Sequence, residues 1–239
     1  MTWNVLGSAR PNRDALANAI RSIGPDIVAL QEVRLSQAHR LANRLGWRAE
    51  WAFKHFPLGP LAAWRAEGLA VISRHSLSQE HVWSLSPDAS RSTYRRRVAQ
   101  LVTVRCAPAD GERTIDIRLI NTHLESRQAE RQERLAQAER LVAHLDELDA
   151  PASLLLGDLN ASNEPELLDV LAAYGLRDSW RSSTQAGGAT SPSTRPTQRI
   201  DYVLAGPTWR VVNTEVPEPS PQWSTLSDHL PVVVDLSWG

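Results

Sequence analysis

The sequence predicts an α/β fold, and within that class a four-layer α/β sandwich of two packed, mainly antiparallel mixed sheets flanked by helices. Two observations carry this reading. Strand-like and helix-like segments alternate in two rounds along the chain, and each round runs into a stretch of consecutive strands. A length of 239 residues suffices for one sizeable core, so residues 1–239 are read as a single domain.

The elements follow in order. MTWNV reads as the tail of a first strand, expected to be truncated because almost nothing apolar precedes Trp3. In PNRDALANAIRSIG, Leu16, Ile20 and Ile23 recur at helical spacing, and Gly24-Pro25 closes the helix. DIVALQEV is a continuous apolar strand ending on Gln31 and Glu32, and SQAHRLANRLG predicts a second helix. Extended segments follow at WRAEWAF and GLAVISR. RRVAQLVTVR and TIDIRLINTH then form a hairpin joined around Asp110-Gly111. Residues 127–149 predict a long helix with Leu135, Ala138, Leu141, Val142, Leu145 and Leu148 on one stripe, stopped by Pro151. SLLLGDLN is the next strand. Asn163 with Glu166 makes a capping-box-like start for the helix EPELLDVLAAYG. Residues 181–198 are rich in Ser, Thr, Gly and Pro and read as a loop, before strands at RIDYVLA, TWRVVNTEV and LPVVVDLSW.

Composition removes several function classes. Formal net charge is −1, so no global positive field draws in a polyanion, and a nucleic acid would have to be held locally. No run approaches the roughly 18 apolar residues of a membrane helix. The lone Cys106 excludes an internal disulfide framework and a cysteine-based zinc site. The N-terminus has neither the basic start nor the apolar segment of a secretory signal. The expectation is a cytoplasmic monomer with no membrane span and no obligate protein partner.

Several strands end on acid, amide or imidazole groups: Asn4, Glu32, His123, Asp158 with Asn160, and Asp201, with Asp228 and His229 just before the last strand. Each alone has an ordinary explanation as a turn, cap or structural residue. As a set they carry chemistry. In LLLGDLN, residues i and i+2 of an extended chain project to one side, which puts Asp158 and Asn160 on a shared face, and Gly157 permits close backbone approach there. Glu32, Asp158 and Asp228 offer hard anionic oxygens, with Asn4 and Asn160 adding amides, a donor set that suits magnesium or manganese. Two histidines beside them point to proton handling near neutral pH, and metal plus imidazole is equipment for hydrolysing a phosphate ester.

TWNV, ALQEV, EGLAVISR, NTHL, LLLGDLNA, RIDYVL and LSDHLPVVVDL stand in an order that resembles the endonuclease/exonuclease/phosphatase superfamily, the DNase I-like hydrolases, over nearly the whole chain. The resemblance implies a DNase I-like sandwich and a Mg/Mn-dependent phosphoric ester hydrolase. It implies that Glu32 is the principal metal ligand, with Asn4 beside it and Asp228 completing the site. Asp158 would orient or deprotonate the attacking water, and Asn160 would bind the phosphate. His229, oriented by Asp201, would be general base or phosphate ligand. His123 would contact the phosphoryl oxygen or serve the leaving group, supported by Glu67. The intact NTHLE segment places the chain nearer the DNase I, sphingomyelinase and small bacterial hydrolase branches.

The expected activity is hydrolysis of a phosphodiester by activated water, with DNA or RNA among the candidate substrates. The alternatives are a phosphomonoesterase or a lipid, sphingomyelinase-like phosphodiesterase, and, ranked last, a non-catalytic phosphate-binding module. Arg91, Arg95, Arg96 and Arg97 form a cluster suited to phosphate, with Arg97 as the substrate-binding candidate, against the plainer reading of a solvated strand entrance. Among the nine tryptophans, Trp64 and Trp223 are flanked by loop signals and expected to be exposed; Trp47 and Trp51 share the segment between the Glu32 and Glu67 motifs.

Overall fold

The protein, as a computed structural model, is described over residues 1–56, 65–89, 96–106, 114–148, 151, 153–182 and 187–239. One sheet contains β1 (Thr2–Asn4), β2 (Ile27–Val33), β4 (Glu67–Ser73) and β3 (Arg48–His55), in the order β1-β2-β4-β3. Reciprocal backbone hydrogen bonds between Thr2 and Val232, at 2.9 and 3.0 Å, dock the hairpin of β11 (Trp209–Glu215) and β12 (Val233–Trp238) against β1. The second sheet runs β5-β6-β7-β8-β10-β9, with β5 (Ser76–Ser84), β6 (Val98–Cys106), β7 (Ile115–His123), β8 (Leu154–Asp158), β9 (Arg177–Asp178) and β10 (Asp201–Ala205). The β1–β2 and β7–β8 pairs are parallel and the other pairs antiparallel, so both sheets are mixed.

The period of two along each strand sorts side chains into layers. Val28 and Leu30 face α1 (Arg13–Ile23) and α2 (Leu35–Leu45), packing with Leu16, Ile20 and Leu41. Leu101, Ile120, Leu155 and Leu204 face α3 (Arg131–Asp146) and α4 (Pro165–Ala173), packing with Leu141, Leu145 and Leu167. Between the sheets lie Ala29, Val71, Val102, Leu119, Leu156 and Val203. The four-layer sandwich is therefore the observed fold. A short helix, α5 (Pro221–Ser224), packs Trp223 into the α1/α2 layer. No helix among the described residues is long and apolar enough to cross a membrane.

Four sequence expectations are corrected. β5 was not anticipated: it is a mostly exposed edge strand of polar residues, so its order comes from pairing with β6 and not from its own hydrophobic pattern. α4 does not start on an Asn163 capping box. Pro165 takes the first helical position, which makes Glu164 the N-cap, and the Glu164 carboxylate is committed to the buried Arg134 guanidinium. Trp223 is buried at 8% exposure, with its ring 5.6 Å from that of Trp3 in a T-shaped contact. Arg97 is also buried, within 3.6 Å of Glu125, and Arg96 donates to the carbonyls of Phe53 and Lys54. These two arginines are therefore drawn into the protein and do not frame a solvated strand entrance. Arg91, Arg95, Trp64 and the Asp110-Gly111 turn lie outside the described residues.

Candidate active site

The inter-sheet layer is apolar along most of its length and turns polar at one end. Continuing the inward rows by steps of two leads from Leu119 to Asn121 and His123, from Leu156 to Asp158, from Val203 back to Asp201, and from Thr2 to Asn4. Strand register then lines these groups up: His123 pairs with Asp158 across β7 and β8, and Asp158 with Asp201 across β8 and β10. Just inside this end, Gln31 donates to Asn121 Oδ1 at 2.8 Å, while Asn121 Nδ2 donates to Leu30 and Ala70 carbonyls at 3.1 and 3.0 Å. That buried clamp fixes one sheet against the other directly beneath the site.

His229 Nδ1 lies 2.8 Å from Asp201 Oδ2, which also accepts the Thr190 hydroxyl at 2.5 Å. The Asp158 carboxylate sits 4.0 Å from the same imidazole nitrogen and 3.7 Å from His123 Nε2. Asp158 is held by two donors: Asn160 N–H to Oδ1 at 3.0 Å and Asn4 Nδ2 to Oδ2 at 3.0 Å. Gly157 lets β8 approach β7 closely, since a Cβ there would lie 2.0 Å from the Thr122 carbonyl oxygen. The segment carrying His229 is fastened to β1. Trp3 Nε1 donates to the His229 carbonyl at 2.9 Å, the Ser227 hydroxyl donates to the Asn4 carbonyl at 2.6 Å, and His229 N–H donates to Ser227 Oγ at 3.1 Å.

Asn160 departs from the shared-face expectation. The strand ends at Asp158, Asn160 takes a left-handed conformation with φ 51°, and its Nδ2 donates to the Leu124 carbonyl at 3.2 Å. Its backbone N–H closes an Asx turn on Asp158, which is how the pair is joined.

Glu32 reaches the site by a backbone irregularity. In a regular strand it would follow Leu30 toward the helices, but register shifts between Leu30 and Val33 and Glu32 has φ 54°, a left-handed conformation that costs a non-glycine residue about 1 kcal/mol or more. Asn4 Nδ2 donates to Glu32 Oε1 at 3.3 Å, while Asn4 Oδ1 accepts Leu6 N–H at 3.1 Å. Asn4 thus bridges Glu32 and Asp158 with one lone pair of its oxygen already engaged. Asp228 is exposed, with its carboxylate 3.4 Å from Ser227 Oγ.

Lys54 belongs to the site and was not foreseen. It is fully buried, donates to Glu67 Oε1 at 3.0 Å, and its Nζ lies 3.4 Å from His123 Nδ1. Glu67 therefore supports His123 through a lysine and not directly. An ammonium has only donors, so Nδ1 must accept, which places the imidazole proton on Nε2, the nitrogen nearer Asp158. The sequence reading ended β3 at Phe53; extended to His55, it puts Lys54 on the inward row with Ala52.

The electrostatics match this layout. Burial raises the proton affinity of Asp158, and the Asp201 charge adds to it, lifting its pKa to about 7. Burial alone would lower that of His229, but Asp201 at Nδ1 outweighs it and lifts the pKa to about 10. Burial, then Glu67, raises Glu32. Burial pushes Glu67 up, but Lys54 and His55 overcome it, and the carboxyl ends below its ordinary value. Among the described residues no lysine or arginine forms an ion pair with Glu32 or Asp158. A hard divalent cation fits such oxygen donors. The groups whose ligand atoms already lie within 4.8 Å of one another are Asp158, Asp201 and His229. Since Asp201 and His229 are bonded to each other, the half-buried Glu32 and the exposed Asp228 are the more open carboxylates.

The family model described as Endonuclease/Exonuclease/phosphatase family matches residues 1–229. No curated protein matches the sequence. Among solved structures, an endonuclease/exonuclease/phosphatase from Beutenbergia cavernae DSM 12333 is 26% identical, covering 100% of this chain and 70% of its own, with a TM-score of 0.75. The Bacteroides thetaiotaomicron VPI-5482 mannosyl-6-phosphatase Bt3783 is 19% identical over 99% of this chain and 98% of its own, with a TM-score of 0.72. The human Nocturnin catalytic domain with bound sulfate anion is 21% identical over 99% and 92%, with a TM-score of 0.70.

Proposed function

The chain belongs to the endonuclease/exonuclease/phosphatase family, and from that premise we propose that it is a divalent-metal-dependent phosphoesterase that cleaves a phosphodiester by attack of an activated water. The observation that carries this reading is the meeting of four groups. Asp158 stands 4.0 Å from a His229 that Asp201 has fixed at Nδ1, and 3.7 Å from His123. A cation held by Glu32, with Asn4 and Asp228 beside it, would supply charge neutralisation at the phosphate.

The chain's own groups divide the remaining work. Asp158, with a pKa lifted to about 7, is matched to receiving a proton from water at neutral pH, and the Asn4 and Asn160 donors hold it in place. His229, kept as imidazolium by Asp201, leaves Nε2–H without a partner among the described residues and free to donate to a phosphoryl oxygen. His123 presents Nε2–H as a second donor, with Lys54 occupying its other nitrogen. Asn160 adds its amide at the same edge.

A phosphomonoesterase is the second reading, favoured by one observation: a structure of this fold is a mannosyl-6-phosphatase. Bis-p-nitrophenyl phosphate, the corresponding monoester, plasmid DNA, an abasic-site duplex and sphingomyelin, each with magnesium, manganese or chelator, separate these readings. Metal-dependent cleavage of a diester in preference to the monoester is expected. Failure on every ester with metal present would restore the non-catalytic binding module.

A further inference from the structure

β1 and β2 are parallel, so the turns that leave them lie at the same end of the sheet, and each leads into a helix. Six residues beyond Asn4 stands Arg10, and two beyond Glu32 stands Arg34. Beside the N-terminal ends of α1 and α2 lies a cavity of about 500 Å³ lined by Arg10, Arg13, Arg34 and, from the last turn of α2, Arg44, with Gln37 in its wall and Asp14 as the one carboxylate of its lining. Asp14 is already ion-paired with Arg44. Arg10, Arg13 and Arg34 form no ion pair among the described residues.

Two physical features set this cavity apart from an ordinary solvated face. Helix N-termini carry positive partial charge and favour acids, yet Arg34 is the N-cap residue of α2, Arg13 opens α1, and no acid occupies the first turn of α2. Arg34 and Arg13 therefore sit where the backbone field already opposes them, whereas Arg44 stands in the last turn of α2 and Asp14 supplies an acid to the first turn of α1. The arginines also oppose one another, since burial and the neighbouring Arg10 and Arg65 charges make the Arg34 charge harder to hold. Such an arrangement is unfavourable until an anion enters. Local rules broken together in this way mark a binding site more often than a packing solution.

The cavity also connects to the reaction centre. Pro11 forms a wall of this cavity and of a neighbouring one of about 210 Å³, whose lining includes Leu6, Ser193 and Asp228. The turn Gly7–Ala9 that separates the arginines from Asn4 is itself seated on β2 and α2, with Gln37 Nε2 donating to the Gly7 carbonyl at 2.9 Å. One path therefore runs from Asp228, over the Leu6 to Pro11 turn, to the four guanidinium groups.

We propose that the arginine-lined cavity between α1 and α2 is a second anion subsite, which takes a further phosphate of the same substrate molecule whose ester is cut at the Asp158–His229 centre. This rests on the phosphoesterase reading above and narrows it: the preferred substrate carries at least two phosphates. Guanidinium forks suit phosphate oxygens, and the subsite would contribute mainly to binding, seen in KM.

The test compares p-nitrophenyl esters of thymidine 5′-phosphate with and without a 3′-phosphate, and a matching pair built on glycerol phosphate, using the full chain with magnesium and, separately, with manganese. The added phosphate is expected to raise kcat/KM roughly tenfold through KM, as one good charge-assisted pairing does. Arg10→Ala with Arg34→Ala should bring the ratio within each pair close to one, and Arg34→Lys should keep part of it. An advantage on both scaffolds assigns recognition to the phosphate alone; an advantage on thymidine only assigns it to a nucleotide. A wild-type ratio near one on both scaffolds, or a ratio that survives the double substitution, overturns the subsite. If no ester is cleaved with either metal, the phosphoesterase reading fails instead. Equilibrium dialysis of inorganic pyrophosphate in metal-free buffer then decides the subsite separately: binding lost in the double variant upholds it, and no binding by the wild type overturns it.

Discussion

The indole Nε1 of Trp3 donates to the backbone carbonyl of His229 at 2.9 Å, joining the first strand to the segment that carries the imidazole. Trp3 is fully buried and its ring packs against Trp223. Trp3→Phe keeps an aromatic in the core but leaves the His229 carbonyl without its buried donor, so a loss of about 1–3 kcal/mol is expected. Denaturant unfolding measures it, and an unchanged midpoint would show that the contact contributes nothing. Turnover should fall further than stability alone explains, because the carbonyl belongs to the residue whose side chain is proposed to donate to substrate.

Lys54 couples Glu67 to His123. Lys54→Met removes the ammonium and leaves a buried carboxylate behind, a loss of about 3–5 kcal/mol for breaking such a pair. Adding Glu67→Gln should recover a large part of it, and equal stability of the single and double variants would contradict the coupling. Nitrogen-15 spectra of the imidazoles provide the second readout. His123 should carry its proton on Nε2 in the wild type and lose that preference in Lys54→Met.

Proton linkage gives a stability profile for the metal-free protein. Asp158 and His229 both have folded pKa values above their unfolded ones, at about 7 and about 10 against ordinary values near 3.8 and 6.5. Each binds its proton more tightly when folded. Its stabilising contribution is complete below the unfolded value and is lost as pH rises through the folded one. Melting temperature should therefore decline from about pH 4 to 7 through Asp158, and again between about pH 6.5 and 10 through His229. Asp158→Asn should flatten the first decline. A metal-free melting temperature that rises between pH 4 and 7 would contradict the assignment.

Much of this could be read from the sequence, and the failures have physical causes. Apolar runs that end on acids and imidazole marked the polar strand ends, and in the structure a period of two carries the inward rows from Leu156 to Asp158 and from Leu119 to His123. The family resemblance supplied the roles. What alternation could not supply was any departure from it. Glu32 arrives through a left-handed residue and a register shift, and Asn160 turns out of the extended chain to bond Leu124. Lys54 was passed over because β3 was ended two residues early, at Phe53, and because lysine is seldom buried. Trp223 looked exposed among prolines and serines, yet it fills the layer beneath Trp3. Long-range partners decide such positions, and local pattern does not contain them.

Divalent metal should stabilise the folded chain by mass action, adding about 2.7 kcal/mol at a hundredfold excess over its dissociation constant. Magnesium is expected to raise the melting temperature and chelator to reverse it. Glu32→Gln should shift both this effect and the rate to higher magnesium concentrations. A titration that Glu32→Gln leaves unmoved would remove Glu32 from the metal site.

The account centres on the Asp158–His229–Asp201 meeting point, and the rate of bis-p-nitrophenyl phosphate hydrolysis by His229→Ala with saturating magnesium, beside wild type and a thermal unfolding control, tests it most directly. A donor to the reacting phosphate is worth about 100-fold or more. The prediction is a loss of at least that size in turnover by a variant that still unfolds cooperatively. Turnover close to wild type in a folded His229→Ala protein would contradict it.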